Sequence, residues 1–243
     1  MRDAPPAEGA PADLTFPVRY GRAQMMSVLF AFELEEAKRE LQPHGLEPLA
    51  ITPHQCVMAL AWFDYAESDL GPYRELSLSI PARRLGDARR AQWLRWVAGD
   101  RGLGAWVLHL PVTSELACRE GRSRLGLPKT VERIDFEASG RRFRGRLFAS
   151  EAPLLELEVS LPRAAGTPIG SLPLLSELNG QLIRTPVSTH GSVRWSPLPR
   201  VSLRLTAPHH PIARTLAATG PALAALWASE FSAEILAPEQ LAL

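Results

Sequence analysis

The alternation of apolar and polar positions along this chain has, for most of its length, the two-residue period of a strand. Residues 75–82 place Leu76, Leu78 and Ile80 on one face and Glu75, Ser77 and Ser79 on the other, as a strand packed on one side does. Residues 141–149 set Arg142, Arg144 and Arg146 against Phe143, Gly145 and Leu147. After a turn at Ala152-Pro153, residues 155–161 set Glu156, Glu158 and Ser160 against Leu155, Leu157, Val159 and Leu161. Together they predict a hairpin whose arginines face glutamates, a cross-strand charge ladder rather than a nucleic-acid surface. Near-continuous apolar runs at 25–32, 55–65 and 105–112 predict buried strands. Shorter strands are expected at 181–188, 192–196 and 201–206. A last one, at 226–236, follows from the spacing of Trp227, Ser229, Phe231, Ala233 and Ile235.

Helical signals are few. Residues 33–41 predict a helix ended by Pro43 and Gly45. Residues 83–100 break the strand rhythm, with Asp87 as the cap of a short helix carrying Trp93 and Trp96. Ser114 caps another that runs into Gly121, and 211–218 predicts a third short one. Many short strands, few helices and no strand–helix alternation predict a mainly β chain (α+β) with an antiparallel barrel or sandwich-like core. Without a repeat or linker, a single domain is expected over 15–243, behind an Ala- and Pro-rich, disordered lead-in over 1–14.

Composition narrows the partners. A formal charge of +1 supplies no field for nucleic acid or a membrane surface. No stretch offers about 18 uninterrupted apolar residues, and the N-terminal segment lacks a signal peptide's apolar core. Cys56 and Cys118 suggest neither a disulfide framework nor a zinc site. His209 and His210 lie in a Pro-His-His-Pro turn without an acidic partner at ligand spacing, so no metal and no cofactor is expected. A cytoplasmic location is the default.

Lysine usage is the informative departure. Of 27 basic residues only Lys38 and Lys129 are lysine. Arginine supplies a plain positive charge as well as lysine does. Lysine alone offers an amine that can lose its proton and act as a nucleophile. Lys38 sits among Glu35, Glu36, Arg39 and Glu40, where an ion pair along a helix accounts for it. Lys129 follows Gly126, Leu127 and Pro128 in a stiffened, apolar approach, which suits an amine held at one place in a cavity.

In Gly121-Arg122, a short spacer, then Leu127-Pro128-Lys129, the chain resembles the active-site signature of the acetoacetate decarboxylases and their relatives. Tyr73-Arg74-Glu75 followed by Ile80-Pro81 is similar to the strand bearing that family's active-site glutamate. The likeness spans roughly residues 15–240. It implies a cone-shaped antiparallel β-barrel with Lys129 in a central cavity, attacking a ketone to give an iminium that draws electrons from a breaking bond. It also implies Glu75 as a catalytic partner, Arg122 as a substrate-binding residue, and Arg22 as the N-terminal site arginine, with Arg19 as the competing choice. A small-molecule keto acid as substrate and a homo-oligomeric assembly are expected.

Three departures separate this chain from the decarboxylase pattern, one being Ser123 where the residue after Gly-Arg is usually acidic. Thr130 stands where a second lysine follows the first, and the 55–65 strand lacks a second acidic residue, Asp64 being the nearest. Decarboxylation, aldol or dehydration chemistry through the same Schiff base, and a non-catalytic binding role all remain open. Without a lysine neighbour, activation of Lys129 has to come from burial among side chains such as Leu125 and Leu127. A Lys129 paired closely with a carboxylate would favour the non-catalytic reading.

Overall fold

The computed structural model describes residues 15–85, 103–163 and 165–241. Strand β1 (Val18–Glu33) leads into helix α1 (Leu34–Leu41), then β2 (Leu46–Pro48), β3 (Ala50–Thr52), β4 (Gln55–Ser68), β5 (Tyr73–Arg84) and β6 (Leu103–Val112). Helix α2 (Glu115–Leu125) precedes β7 (Lys129–Val131), β8 (Ile134–Ser139), β9 (Arg142–Ala149) and β10 (Ala152–Ser160). The chain continues through β11 (Thr167–Pro168), β12 (Leu174–Leu178), β13 (Gln181–Thr185), β14 (Val187–Pro197) and β15 (Val201–Leu205). Helix α3 (Pro211–Ala217), β16 (Thr219–Ile235) and β17 (Glu239–Gln240) complete it. The fold is mainly β with short helices.

The alternating segments are strands, but they divide between two sheets rather than sharing one. The larger runs β11-β14-β16-β1-β4-β5-β6-β12-β13-β17, and the smaller runs β15-β10-β9-β8. Among the described residues this path is open, and β6 pairs in parallel with both β7 and β12. The division has a packing cause. Met26, Val28 and Phe30 of β1, Met58, Leu60 and Trp62 of β4, and Leu76, Leu78 and Ile80 of β5 form one apolar face. Phe143, Leu147, Leu155, Leu157 and Val159 of the smaller sheet pack onto it in a common core. Burial of these side chains, worth about 1.5–3 kcal/mol each, drives the two sheets together.

The outer surface of the hairpin is the expected ladder. Arg142 and Arg144 both reach Glu158, at 3.0 and 3.1 Å. Lys38 likewise pairs with Glu35 at 2.7 Å along α1. The short helix expected behind an Asp87 cap lies outside the described residues, as does the 1–14 lead-in, while Arg83 and Arg84 continue β5.

The opposite face of the larger sheet carries the polar alternation of β5, and it too is covered. Glu75 and Ser79 are buried there. Helix α2 lies over the Glu75 end of this face, and it runs past Gly121, where the sequence reading ended it. Ser114 caps its start by accepting a hydrogen bond from the Ala117 amide. Gly126, at φ 59°, takes the left-handed conformation that ends it.

Candidate active site

Glu75 and Lys129 reach each other across two strand spacings. Glu75 on β5 lies opposite Val112 on β6, and Lys129 on β7 lies opposite Leu110 on β6. Strands two apart in a sheet are about 9.6 Å apart, a gap that a lysine and a glutamate pointing to the same face can close. Lys129 Nζ donates to Glu75 Oε2 at 2.6 Å. Both residues are buried, with 5 % and 7 % of their surface exposed. The backbone approach is fixed: the Gly126 amide bonds to the Arg122 carbonyl, and the Leu127 amide to that of Gly121. Pro128 then turns the chain into β7.

Helix α2 lies directly over the lysine. A Cβ on Gly121 would fall 2.6 Å from Lys129 Cδ and Cε, so the glycine is the gap through which the side chain passes. The residues α2 gives to the cavity are Ala117, Glu120, Gly121, Arg124 and Leu125, the i, i+3, i+4, i+7 and i+8 positions of one helical face. The rest of the wall is largely apolar and includes Phe16, Val18, Leu110, Leu127 and Ile235. The enclosed space is narrow, about 40 Å³.

Three tyrosines back the pair. Tyr65 Oη donates to Glu75 Oε1 at 3.4 Å. The hydroxyls of Tyr20 and Tyr73 are hydrogen-bonded at 3.2 Å, and Lys129 Nζ stands 5.5 Å from the centre of the Tyr73 ring. Burial raises all three phenols well above their usual value, and the negative charge of Glu75 adds to it. They therefore stay protonated and act as donors.

The expected arginines are elsewhere in this chain. Arg22 is exposed on β1 and pairs with Glu67 at 3.2 Å; Arg19 is exposed and pairs with Glu234. Arg122 is on the solvent side of α2 and does not line the cavity, because extending the helix past Gly121 turns the next residue outward. Arg124, two residues and so about half a turn further on, lines it instead, with its Nε 2.9 Å from Glu120 Oε2. Glu120 also supplies the second cavity carboxylate, since Asp64 faces Arg74 in an outer groove. Their helical spacing was readable in the sequence once α2 was allowed to continue. The amine is buried as expected, but it has a carboxylate partner rather than a wholly apolar surround.

A mainly β fold with a buried lysine–glutamate pair beneath a short helix describes a known class. The acetoacetate decarboxylase (ADC) family matches residues 3–218, and this chain belongs to that family. The acetoacetate decarboxylase from Legionella pneumophila subsp. pneumophila str. Philadelphia 1 has a similar fold (TM-score 0.72, 15% identity, covering 99% of this chain and 98% of that one). A second acetoacetate decarboxylase structure gives a TM-score of 0.69 at 13% identity, covering 94% and 90%. The enduracididine biosynthesis enzyme MppR, solved with pyruvate, gives 0.64 at 15%, covering 95% and 93%. No curated protein matches the sequence. Among the described residues, no helix is long and apolar enough to cross a membrane, and no cluster of His, Cys, Asp or Glu could hold a metal.

Proposed function

We propose that this protein is a cofactor-independent lyase acting on a keto acid through a Schiff base on Lys129, with decarboxylation of a β-keto acid as its reaction. The observation that carries the reading is a lysine 5 % exposed at a largely apolar cavity in a chain of the acetoacetate decarboxylase family, with Glu75 Oε2 2.6 Å from its amine. Attack on a ketone needs the neutral amine, and Glu75 is a proton acceptor already in contact with it. The amine adds to the ketone, Glu75 returns the proton to the departing hydroxyl, and water leaves an iminium. That cation accepts the electron pair of the breaking carbon–carboxylate bond. An enamine results, which is protonated and hydrolysed to release the ketone.

Aldol condensation or dehydration through the same enamine is the alternative, and the fold relative solved with pyruvate supports it. A non-catalytic binding role is favoured by the ion pair itself, which stabilises an ammonium, and by the narrowness of the cavity. Borohydride trapping separates these. The purified protein is mixed with acetoacetate or pyruvate, reduced, and mapped by peptide mass. A reduced adduct on Lys129, absent from Lys129→Arg, is expected, with carbon dioxide released from acetoacetate. Adduct with pyruvate alone shifts the assignment to aldol or dehydration chemistry, and adduct with neither leaves only the binding role.

A further inference from the structure

We propose that Tyr20, supported by Tyr73, donates the hydrogen bond that polarises the ketone Lys129 attacks. The proposal rests on the Schiff-base reading above and adds to it the group that receives the carbonyl oxygen. Tyr20 is 4 % exposed and forms part of the cavity wall with Lys129 and Glu75. Its ring packs against Tyr65 at 4.4 Å, and Tyr65 packs against Tyr73 at 4.8 Å. The three rings thus hold one another beside the amine.

The hydroxyl protons can be accounted for one by one. Tyr65 gives its proton to Glu75 Oε1. Tyr20 and Tyr73 share a single hydrogen bond, so two phenols hold two protons and use one between them. Either oxygen can donate in that bond. When Tyr73 donates to Tyr20, the Tyr20 proton is left without a protein acceptor on a residue that lines the cavity, and accepting a hydrogen bond makes Tyr20 a stronger donor in turn. A buried hydroxyl without an acceptor is costly, and the oxygen of a bound ketone is an acceptor of the right kind.

The chemistry balances. The proton of the Lys129 ammonium passes to Glu75. The freed amine pair forms the carbon–nitrogen bond while the carbonyl π pair moves to oxygen, and that oxyanion is stabilised by the Tyr20 hydroxyl. The nitrogen proton passes to the oxyanion, giving a neutral carbinolamine. Glu75 then protonates the hydroxyl, water leaves, and the nitrogen pair closes the carbon–nitrogen double bond. Lysine ammonium and ketone have become iminium and water, with Glu75 and Tyr20 unchanged.

The test compares two reactions of the same amine in the full-length protein. One is reductive trapping with pyruvate and cyanoborohydride, which needs the carbonyl polarised. The other is addition of acrylonitrile, which forms no oxyanion. Lys38, half-buried on α1 and paired with Glu35, serves as the internal reference in the peptide map. Tyr20→Phe is expected to slow trapping at Lys129 about 100-fold while its acrylonitrile rate stays that of wild type, and Tyr73→Phe is expected to give a smaller loss of the same kind. Unchanged trapping in Tyr20→Phe, or an equal fall in both reactions, overturns the proposal. If Tyr20→Phe does not fold, the same contrast in Tyr73→Phe decides. Wild-type protein that forms no adduct overturns the Schiff-base reading and the Tyr20 role together; adduct without a Tyr20 effect overturns only the latter.

Discussion

Glu75 and Lys129 stand 54 residues apart in the chain and 2.6 Å apart in space, and what the pair does depends on both staying in place. Removing one partner of a buried ion pair leaves an uncompensated charge, which costs about 3–5 kcal/mol, whereas removing both is far milder. Glu75→Gln should therefore lower stability in urea by about that amount, and Glu75→Gln with Lys129→Met should recover much of it. If the double variant is as unstable as the single one, the contact is not an energetic pair. Glu75→Gln should also slow trapping by about 10²–10⁴-fold, because the amide cannot take the proton. Lys129 stood out in the sequence by rarity and Glu75 by its local pattern. Arg22 and Arg122 do not line this cavity, because a motif fixes position along the chain and not which way a side chain turns. Tyr20 carried no signal of its own: its role depends on Tyr65 and Tyr73, which only sheet registry brings beside it.

At the scale of the element, α2 is a lid whose two glycines have separate duties. Gly121 leaves room for the lysine, since an added Cβ meets Lys129 Cδ and Cε at 2.6 Å. Gly121→Ala improves helix propensity by about 1 kcal/mol, which offsets only part of the roughly 3–5 kcal/mol that pushing Lys129 off Glu75 costs. Expected are a lowered urea midpoint and a loss of trapping, and a variant that traps as wild type does would show the lysine passing elsewhere. Gly126 has a different signature. Its φ is 59°, and a Cβ would lie 2.1 Å from the Glu177 carbonyl oxygen, a backbone group that cannot swing aside. Gly126→Ala should cost about 1 kcal/mol or more in urea unfolding. The sequence reading took Gly121 as the helix end and Gly126 only as part of the approach to Lys129. Helix-ending and space-making glycines look alike until the neighbour is known.

Across the whole molecule the larger sheet separates chemistry from cohesion, with the lysine cavity on one face and the main core on the other. Strand alternation made the core face readable. The second sheet and the parallel pairings of β6 were not, because they depend on contacts distant in sequence. β6 serves both faces: Leu110 lies beside Lys129, while the neighbouring His109 turns to the core side, its Nε2 3.3 Å from Thr215 Oγ1 of α3. Burial, with repulsion from His210 added, lowers the His109 pKa to about 4. The unfolded chain takes up that proton near 6.5. Between the two values the unfolded state binds more protons than the folded one, so His109 erodes stability as pH falls from about 6.5 to about 4. Above that window the imidazole is neutral in both states and contributes no pH dependence. His109→Gln keeps a polar partner for Thr215 and removes the titration. Its urea midpoint should fall less steeply than that of wild type between pH 6.5 and 4, the two curves running parallel above pH 7. Superimposable slopes across the acid window would rule out His109 as a source of acid sensitivity. Because the change lies on the core face, trapping at Lys129 at pH 7 should match wild type, which makes the variant a test of how far the two faces of one sheet act independently.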